Sequence, residues 1–360
     1  MNTYRVYLRP GSSIGTWPMS DTLFGAMCWA VYHLYGKEKL ENILNDYHAN
    51  PKFIVSSAFP FLERPGSLIH FYPKPMIAEL TVNEVEALTE KEIAGNVAHD
   101  SLIFKRKIIT ITEKLKSIKR AAFVSESIFT DIVRGEDMTS LYERLNTGQI
   151  VSRGGILMTS EESLTQAEES FFIQQDALKN QIDRVTGATV EGLLFLKRET
   201  FFRTPRTGLW FVLQTDDTDF VIPLLKYLQD TGIGSDRTTG KGHFDIEFGS
   251  FFDLPKADNP DSFIILSRLC PYKEKMDFTG GFASWNLVNM RPIRETMYCH
   301  GKKRILKDLI RMFAEGSVFP IKLQNKSCYG MLVESKMEKD YKVYHNGVAI
   351  PVYAKTGGQT

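Results

Sequence analysis

The chain has 360 residues, 43% hydrophobic, 24% charged and 12% aromatic; this ordinary globular usage excludes a largely disordered polymer and exceeds what one core usually serves. Lys plus Arg number 44 against 43 Asp plus Glu, so a formal net charge of +1 excludes whole-surface attraction for polyanions and confines any nucleic-acid site to a local patch. Cysteines at 28, 270, 299 and 328 form no Cys-x-x-Cys pair and have no histidines at metal spacing beside them, which supports neither zinc nor a disulfide framework and fits a reducing cytoplasm.

In chain order, Met1 to Leu8 alternates as a strand (Tyr4, Val6 and Leu8 against Arg5 and Tyr7) and lacks the apolar core of a signal peptide. No run is long and apolar enough to span a bilayer. After Pro10-Gly11-Ser12-Ser13, Ser20 reads as the N-cap of a helix, with Leu23, Phe24, Met27, Cys28, Val31, Leu34 and Tyr35 at helical spacing. Phe53 to Val55 predicts a short strand, and the proline-rich, aromatic stretch from Pro60 to Pro75 an ordered loop. Residues 80–175 read as an insertion containing strands and a helix, with a basic cluster at Lys105-Arg106-Lys107, Lys114, Lys116, Lys119 and Arg120. Leu193 to Leu196, Glu199 to Arg203 and Leu209 to Gln214 predict strands. Asp216, Asp217 and Asp219 then open a helix through Phe220, Val221, Leu224, Leu225 and Leu228, ending near Asp230. A glycine-rich loop and a strand at His243 to Phe248 follow. Prolines between Asp253 and Asp261 mark a linker, after which strands are predicted at Ser262 to Leu269, Val318 to Leu323 and Tyr341 to Tyr353, and a helix at Lys302 to Phe313. The order predicts an α+β fold of two ferredoxin-like, RRM-like domains. The first is 1–252, with its insertion around 80–175 and its glycine-rich loop at 232–242; the second, smaller one is 260–356.

The loop carries the functional argument. Gly232, Gly234, Gly240 and Gly242 permit positive φ angles and close backbone approach to a bulky ligand, with N–H groups free to meet phosphate oxygens. Arg237 and Lys241 add cations, Thr238 and Thr239 hydroxyls. A nucleotide P-loop does not fit: five residues separate Gly234 from Gly240, Gly242 follows Lys241, and the order is helix to strand. A dinucleotide fingerprint fails at Arg237. The competing reading is a ligand-free turn, which the arginine, lysine and two threonines disfavour.

Ser20-Asp21-Thr22-Leu23-Phe24-Gly25-Ala26, Ile182-Asp183-Arg184-Val185-Thr186-Gly187 and the 232–242 loop together resemble the RAMP superfamily of CRISPR-associated proteins, whose glycine-rich loop occupies this helix-to-strand junction. Within it they are most similar to the subunit that caps the 5′ tag of the guide RNA in type III-A, Csm-type, effector complexes. The resemblance spans most of Ser20 to Gly242; beyond it only length and element order agree, and 80–175 departs from it. It implies a non-catalytic subunit, with no metal or cofactor, that holds guide RNA, docks the large polymerase-like subunit and the backbone RAMP subunit, and meets target RNA indirectly. RNA contacts are expected at Ser20, Asp183, Arg184, Thr186, Gly187, Gly232, Gly234, Arg237, Thr238, Thr239, Gly240, Lys241 and Gly242. The small, polar tip within Asn180 to Gly192 suits a hairpin-like thumb pressed against splayed RNA; a surface turn with a local Asp183–Arg184 pair is its alternative. Some RAMP proteins cut RNA with histidine. Of histidines 33, 48, 70, 99, 243, 300 and 345 no two form an evident pair, and His243, directly after the loop, carries the alternative of a metal-independent endoribonuclease that processes guide RNA. Asp216-Asp217 has no preceding Gly-Gly and opens a helix, which does not indicate a metal-binding cyclase palm.

Overall fold

The computed structural model describes residues 1–93, 101–163, 171–271, 281–292, 306–321, 326–335 and 343–356. In chain order these hold β1 (Asn2–Pro10), α1 (Ser20–Tyr35), α2 (Lys37–Asp46), β2 (Ile54–Val55), β3 (Phe59–Arg64), β4 (Ser67–Pro73), α3 (Val82–Ile93) and α4 (Leu102–Arg120). Next come β5 (Phe123–Ser125), α5 (Glu126–Val133), α6 (Met138–Asn146), β6 (Ile150–Arg153), β7 (Ile156–Thr159), β8 (Phe172–Ile182), β9 (Thr189–Phe202), β10 (Thr207–Thr215), α7 (Thr218–Thr231) and β11 (Phe244–Phe251). The last are β12 (Ser262–Ile265), β13 (Leu287–Met290), β14 (Ile310–Phe313), β15 (Val318–Pro320), β16 (Tyr329–Ser335), β17 (Val343–Ala349) and β18 (Pro351–Ala354). Helices and strands are mixed throughout.

The chain forms two compact units. The first comprises Met1–Leu68, Ser170–Asp253 and Gly330–Ala349. Its sheet runs β11-β1-β10-β3, every neighbour antiparallel, with β2 also on β10. Counting only these four, the spatial order is fourth, first, third, second. α1 stands between the first and second, and α7 between the third and fourth. β10 is central and buried along its length; Leu209, Trp210, Phe211, Val212 and Leu213 present no more than a trace of surface. α1 buries Leu23, Phe24, Met27, Ala30 and Val31, the spacing that keeps one helical stripe on the sheet. Ser20 is its first residue and not its cap. Met19 is the N-cap without a side-chain bond, because the Ser57 hydroxyl accepts from the Ser20 amide at 2.9 Å and serves the donor a cap would have served.

The second unit comprises Ile69–Glu169, Leu254–Tyr329 and Ile350–Thr360. Here β4, β5, β7 and β6 pair in that order, with β5–β7 parallel and the others antiparallel. Tyr72 stacks on Phe129 of α5 at 4.3 Å. A second sheet, β15-β12-β18, stacks Phe263 on Tyr329 at 4.1 Å, and β13 pairs with β14.

Three local expectations are corrected. The Pro60 to Pro75 stretch is not a loop but contributes β3 and β4, since burial of Phe59, Phe61, Phe71 and Tyr72 outweighs the loss of proline donors. The 80–175 region, read as strands and a single helix, holds four helices among its described residues, α3 to α6, of which α4 carries the basic cluster and buries Phe104, Ile111 and Ile118 along one stripe. Ile310 to Phe313 is not the end of a helix but strand β14, whose backbone groups pair with β13 and with Leu269. Lys302-Lys303-Arg304, His99, His300 and Cys299 lie outside the described residues.

Candidate nucleic-acid interface

Asp217 caps α7, its Oδ1 accepting from the Phe220 amide at 3.0 Å, and Gly232 ends the helix at φ 78°, donating to the Leu228 carbonyl at 2.8 Å. The chain then turns inward. Ile233 is buried and its amide donates to the Gly242 carbonyl at 2.8 Å, closing the loop at its neck. Arg237 to Thr239 form a single 3-10 turn bracketed by two left-handed residues, Asp236 at φ 61° and Gly240 at φ 82°. Asp236 is the one non-glycine residue with positive φ among the described residues, and its carbonyl accepts from Thr239 and from Lys241. Thr238, Thr239 and Gly240 are exposed, Arg237 and Lys241 half-buried, Gly232 and Gly242 buried. The exposed crest of the loop is thus short and polar.

The β1–α1 connection supports it. Gly242 donates to the Ser13 carbonyl at 2.9 Å, His243 to Ser12 Oγ at 3.0 Å, and Gly11 to the His243 carbonyl at 2.9 Å, while the Thr16 and Ser235 hydroxyls meet at 2.9 Å. On its other side the same connection bridges to the long hairpin of β8 and β9, Ile14 and Thr200 exchanging bonds of 3.0 and 2.9 Å.

The predicted cation Lys241 turns inward. Its ammonium donates to Ser13 Oγ at 2.8 Å and pairs with Glu199 Oε2 at 2.7 Å; Lys179 Nζ meets the other Glu199 oxygen at 2.9 Å, and Ser13 Oγ donates to Oε2 at 3.0 Å. Glu199 is 1% exposed. Burial alone would raise its carboxyl, but the bonds from Lys241, Lys179 and Ser13 outweigh burial and hold it down at about 2. Beside this cluster Lys197 pairs with Asp236. Sequence reasoning missed Glu199, Lys179, Lys197, Asp236 and Ser13; it split β9 into two strands at Lys197 and Arg198, whereas the continuous strand puts Lys197 and Glu199 on one face.

The hairpin tip has the expected form. Asp183 Oδ1 accepts from the Val185 amide at 2.7 Å and the Thr186 amide at 3.3 Å, and Gly187, at φ 67°, donates to the Asp183 carbonyl at 2.8 Å. Asp183 therefore shapes the turn, and Arg184, Val185, Thr186 and Gly187 are exposed. Between Glu199 and the tip at Thr189 the ribbon runs roughly 30 Å, so tip and loop are well separated. Ser20 is fully buried. His243 is half-buried, its Nε2 3.3 Å from the Arg237 carbonyl, bound to the turn it follows.

A glycine loop between helix and strand, seated on an antiparallel sheet beside a long hairpin, is the arrangement the sequence resemblance implies, and known proteins similar to this chain are CRISPR-associated. The chain is 23% identical over 340 residues, 93% of its length and 91% of the relative's, to the "CRISPR system Cms protein Csm4" of Thermococcus onnurineus (strain NA1). It shares its fold with a chain of the Csm3–Csm4 subcomplex of a type III-A CRISPR-Cas interference complex, at TM-score 0.60, 16% identity and coverage of 97% and 99%. It shares it also with a chain of a Csm1–Csm4 cassette in complex with pppApA, at TM-score 0.55, 18% identity and 98% of both chains. No protein-family model matches.

Proposed function

We propose that this chain is the non-catalytic subunit that holds the 5′ tag of the guide RNA in a type III-A CRISPR effector complex of the cytoplasm, and that it docks the large polymerase-like subunit and the neighbouring backbone RAMP subunit. In this reading the first unit, with its fourth-first-third-second strand order, is the ferredoxin-like RAMP fold. One observation carries it: a braced loop that presents Thr238, Thr239 and the Gly240 backbone, with the half-buried Arg237 beside them, at the end of a capped helix and next to a hairpin with a small polar tip. Arg237 supplies the charge and Gly240 the close backbone approach, while Arg184, Thr186 and Gly187 make a second contact farther along the strand. Lys241, Gly232 and Gly242 hold the loop's shape. The assembly partners are those found with the similar chains in the Csm1–Csm4 cassette and the Csm3–Csm4 subcomplex.

The test is binding of tag RNA at several salt concentrations by the chain assembled with its neighbours. Arg237→Ala should weaken binding and lower the slope of log affinity against log salt by roughly 0.7, the share of one phosphate contact on a single strand. His243→Ala should leave guide processing and target cleavage by the complex unchanged, since its ring nitrogen is engaged with the turn. Unchanged affinity and slope in Arg237→Ala would reduce the loop to a bare turn; lost processing in His243→Ala with RNA binding intact would favour the nuclease instead.

A further inference from the structure

The hairpin of β8 and β9 raises a mechanical problem. A two-stranded ribbon is marginally stable by itself, and Leu178, Leu194, Leu196 and Phe195 of this one are more than half exposed. Its stiffness must come from its root. There Trp17 meets Phe172 edge to face at 5.1 Å, Ile14 bridges Thr200, and Glu199 gathers Lys179 from β8, Lys241 from the glycine loop and Ser13 from the β1–α1 connection. On the same face of β9, Lys197 reaches Asp236 at the start of the 3-10 turn. The Glu199–Lys241 and Lys197–Asp236 pairs cross from hairpin to loop.

We propose that Glu199 is a positioning residue that locks the hairpin to the glycine loop, so that the two elements move as one body and Lys241 serves the lock instead of a phosphate. The proposal rests on the RNA-holding reading for its purpose but not for its geometry. A buried carboxylate shared among three segments cannot release one of them without leaving a poorly compensated charge, so local opening of loop and root is a single event. RNA seated on the loop crest thereby also orders the hairpin root.

Hydrogen exchange followed by mass spectrometry on the full chain tests the lock. Glu199→Gln and, independently, Lys241→Met should speed exchange by about tenfold or more in 172–182, 189–202 and 232–242 together, the size expected for a lost local opening barrier. The β1 and β10 amides should stay protected. Lys241→Arg, which keeps the charge, should restore the wild-type pattern. With a 5′-tag oligonucleotide added, wild type should slow in both loop and root, and Lys241→Met only in the element RNA touches. If exchange in the variants rises in one element alone, or in neither, the lock does not exist. Should both elements loosen together while the oligonucleotide protects nothing in wild type, the lock stands and the RNA-holding reading falls. Lys241→Met keeps the test open if Glu199→Gln unfolds throughout.

Discussion

Two glycines in one loop do different work. A Cβ on Gly242 would stand 2.1 Å from the Ile233 carbonyl oxygen, at the neck the loop closes; at Gly240 nothing lies within 4 Å. Gly240→Ala should therefore cost only the left-handed strain of a non-glycine residue, about 1–2 kcal/mol. Gly242→Ala adds a backbone clash and loses the Ile233–Gly242 bond, worth about 1 kcal/mol net, so its loss should be at least about twice as large. Urea denaturation of both variants decides this: equal midpoints would mean the neck is not closed in solution. Glu199 makes a second prediction. Its carboxyl sits at about 2 in the folded chain against an ordinary 4.5, so the stability it contributes is fully present above about pH 4.5 and is lost as pH falls towards 2. The contribution is on the order of 3 kcal/mol, and thermal melts of Glu199→Gln should show a shallower acid decline than wild type. Identical declines would place the acid sensitivity elsewhere.

At the scale of elements, helices with marked ends and the short strand β2 were legible, whereas buried strands that carry prolines were not. α7 was readable because Asp217 and Gly232 punctuate a clean apolar stripe of Val221, Leu224, Leu225 and Leu228. Asp217→Ala should destabilise by about 1 kcal/mol, the usual worth of such a cap, read as a lower denaturation midpoint; no change would show that α7 is held wholly by its packing. β3 and β4 escaped notice because Pro60, Pro65 and Pro73 signal turns locally, whereas aromatic burial, visible only with the sheet in place, decides their state. Ile310 to Phe313 likewise has an apolar run too short to choose between helix and strand, and pairing with Leu287 to Met290 chooses for it.

For the whole molecule, the near-neutral charge gives the proposed protein partners as much weight as the proposed RNA contact. α4 turns Leu102, Ile103 and Ile109 to the surface beside Arg106, although Phe104, Ile111 and Ile118 already serve the core. Ile103 and Ile109 are 63% and 56% exposed, which suits a protein contact better than water. Deleting Glu84 to Glu161 would also remove Phe129 and its stack on Tyr72, so surface changes make the cleaner test. The double variant Ile103→Ser, Ile109→Ser should keep its melting stability within about 0.5 kcal/mol of wild type while lowering the yield of complex reconstituted with the large and backbone subunits. Full yield would free α4 of any docking role.

What the sequence determined alone was whatever local chemistry dictates: the amphipathic stripe of α1, the capped α7, the glycine spacing of the loop and the turn chemistry of Asp183 to Gly187, each set by residues a few positions apart. Only the tertiary structure decided that Lys241 serves a buried carboxylate. Lys241 stands four residues from Arg237 and looks equivalent to it in the chain, yet it is drawn inward by Glu199, which lies on β9 far away in sequence. A carboxylate buried with its donors is held far more firmly than one in water, and which donors it meets depends on strands that meet only when the sheet has formed.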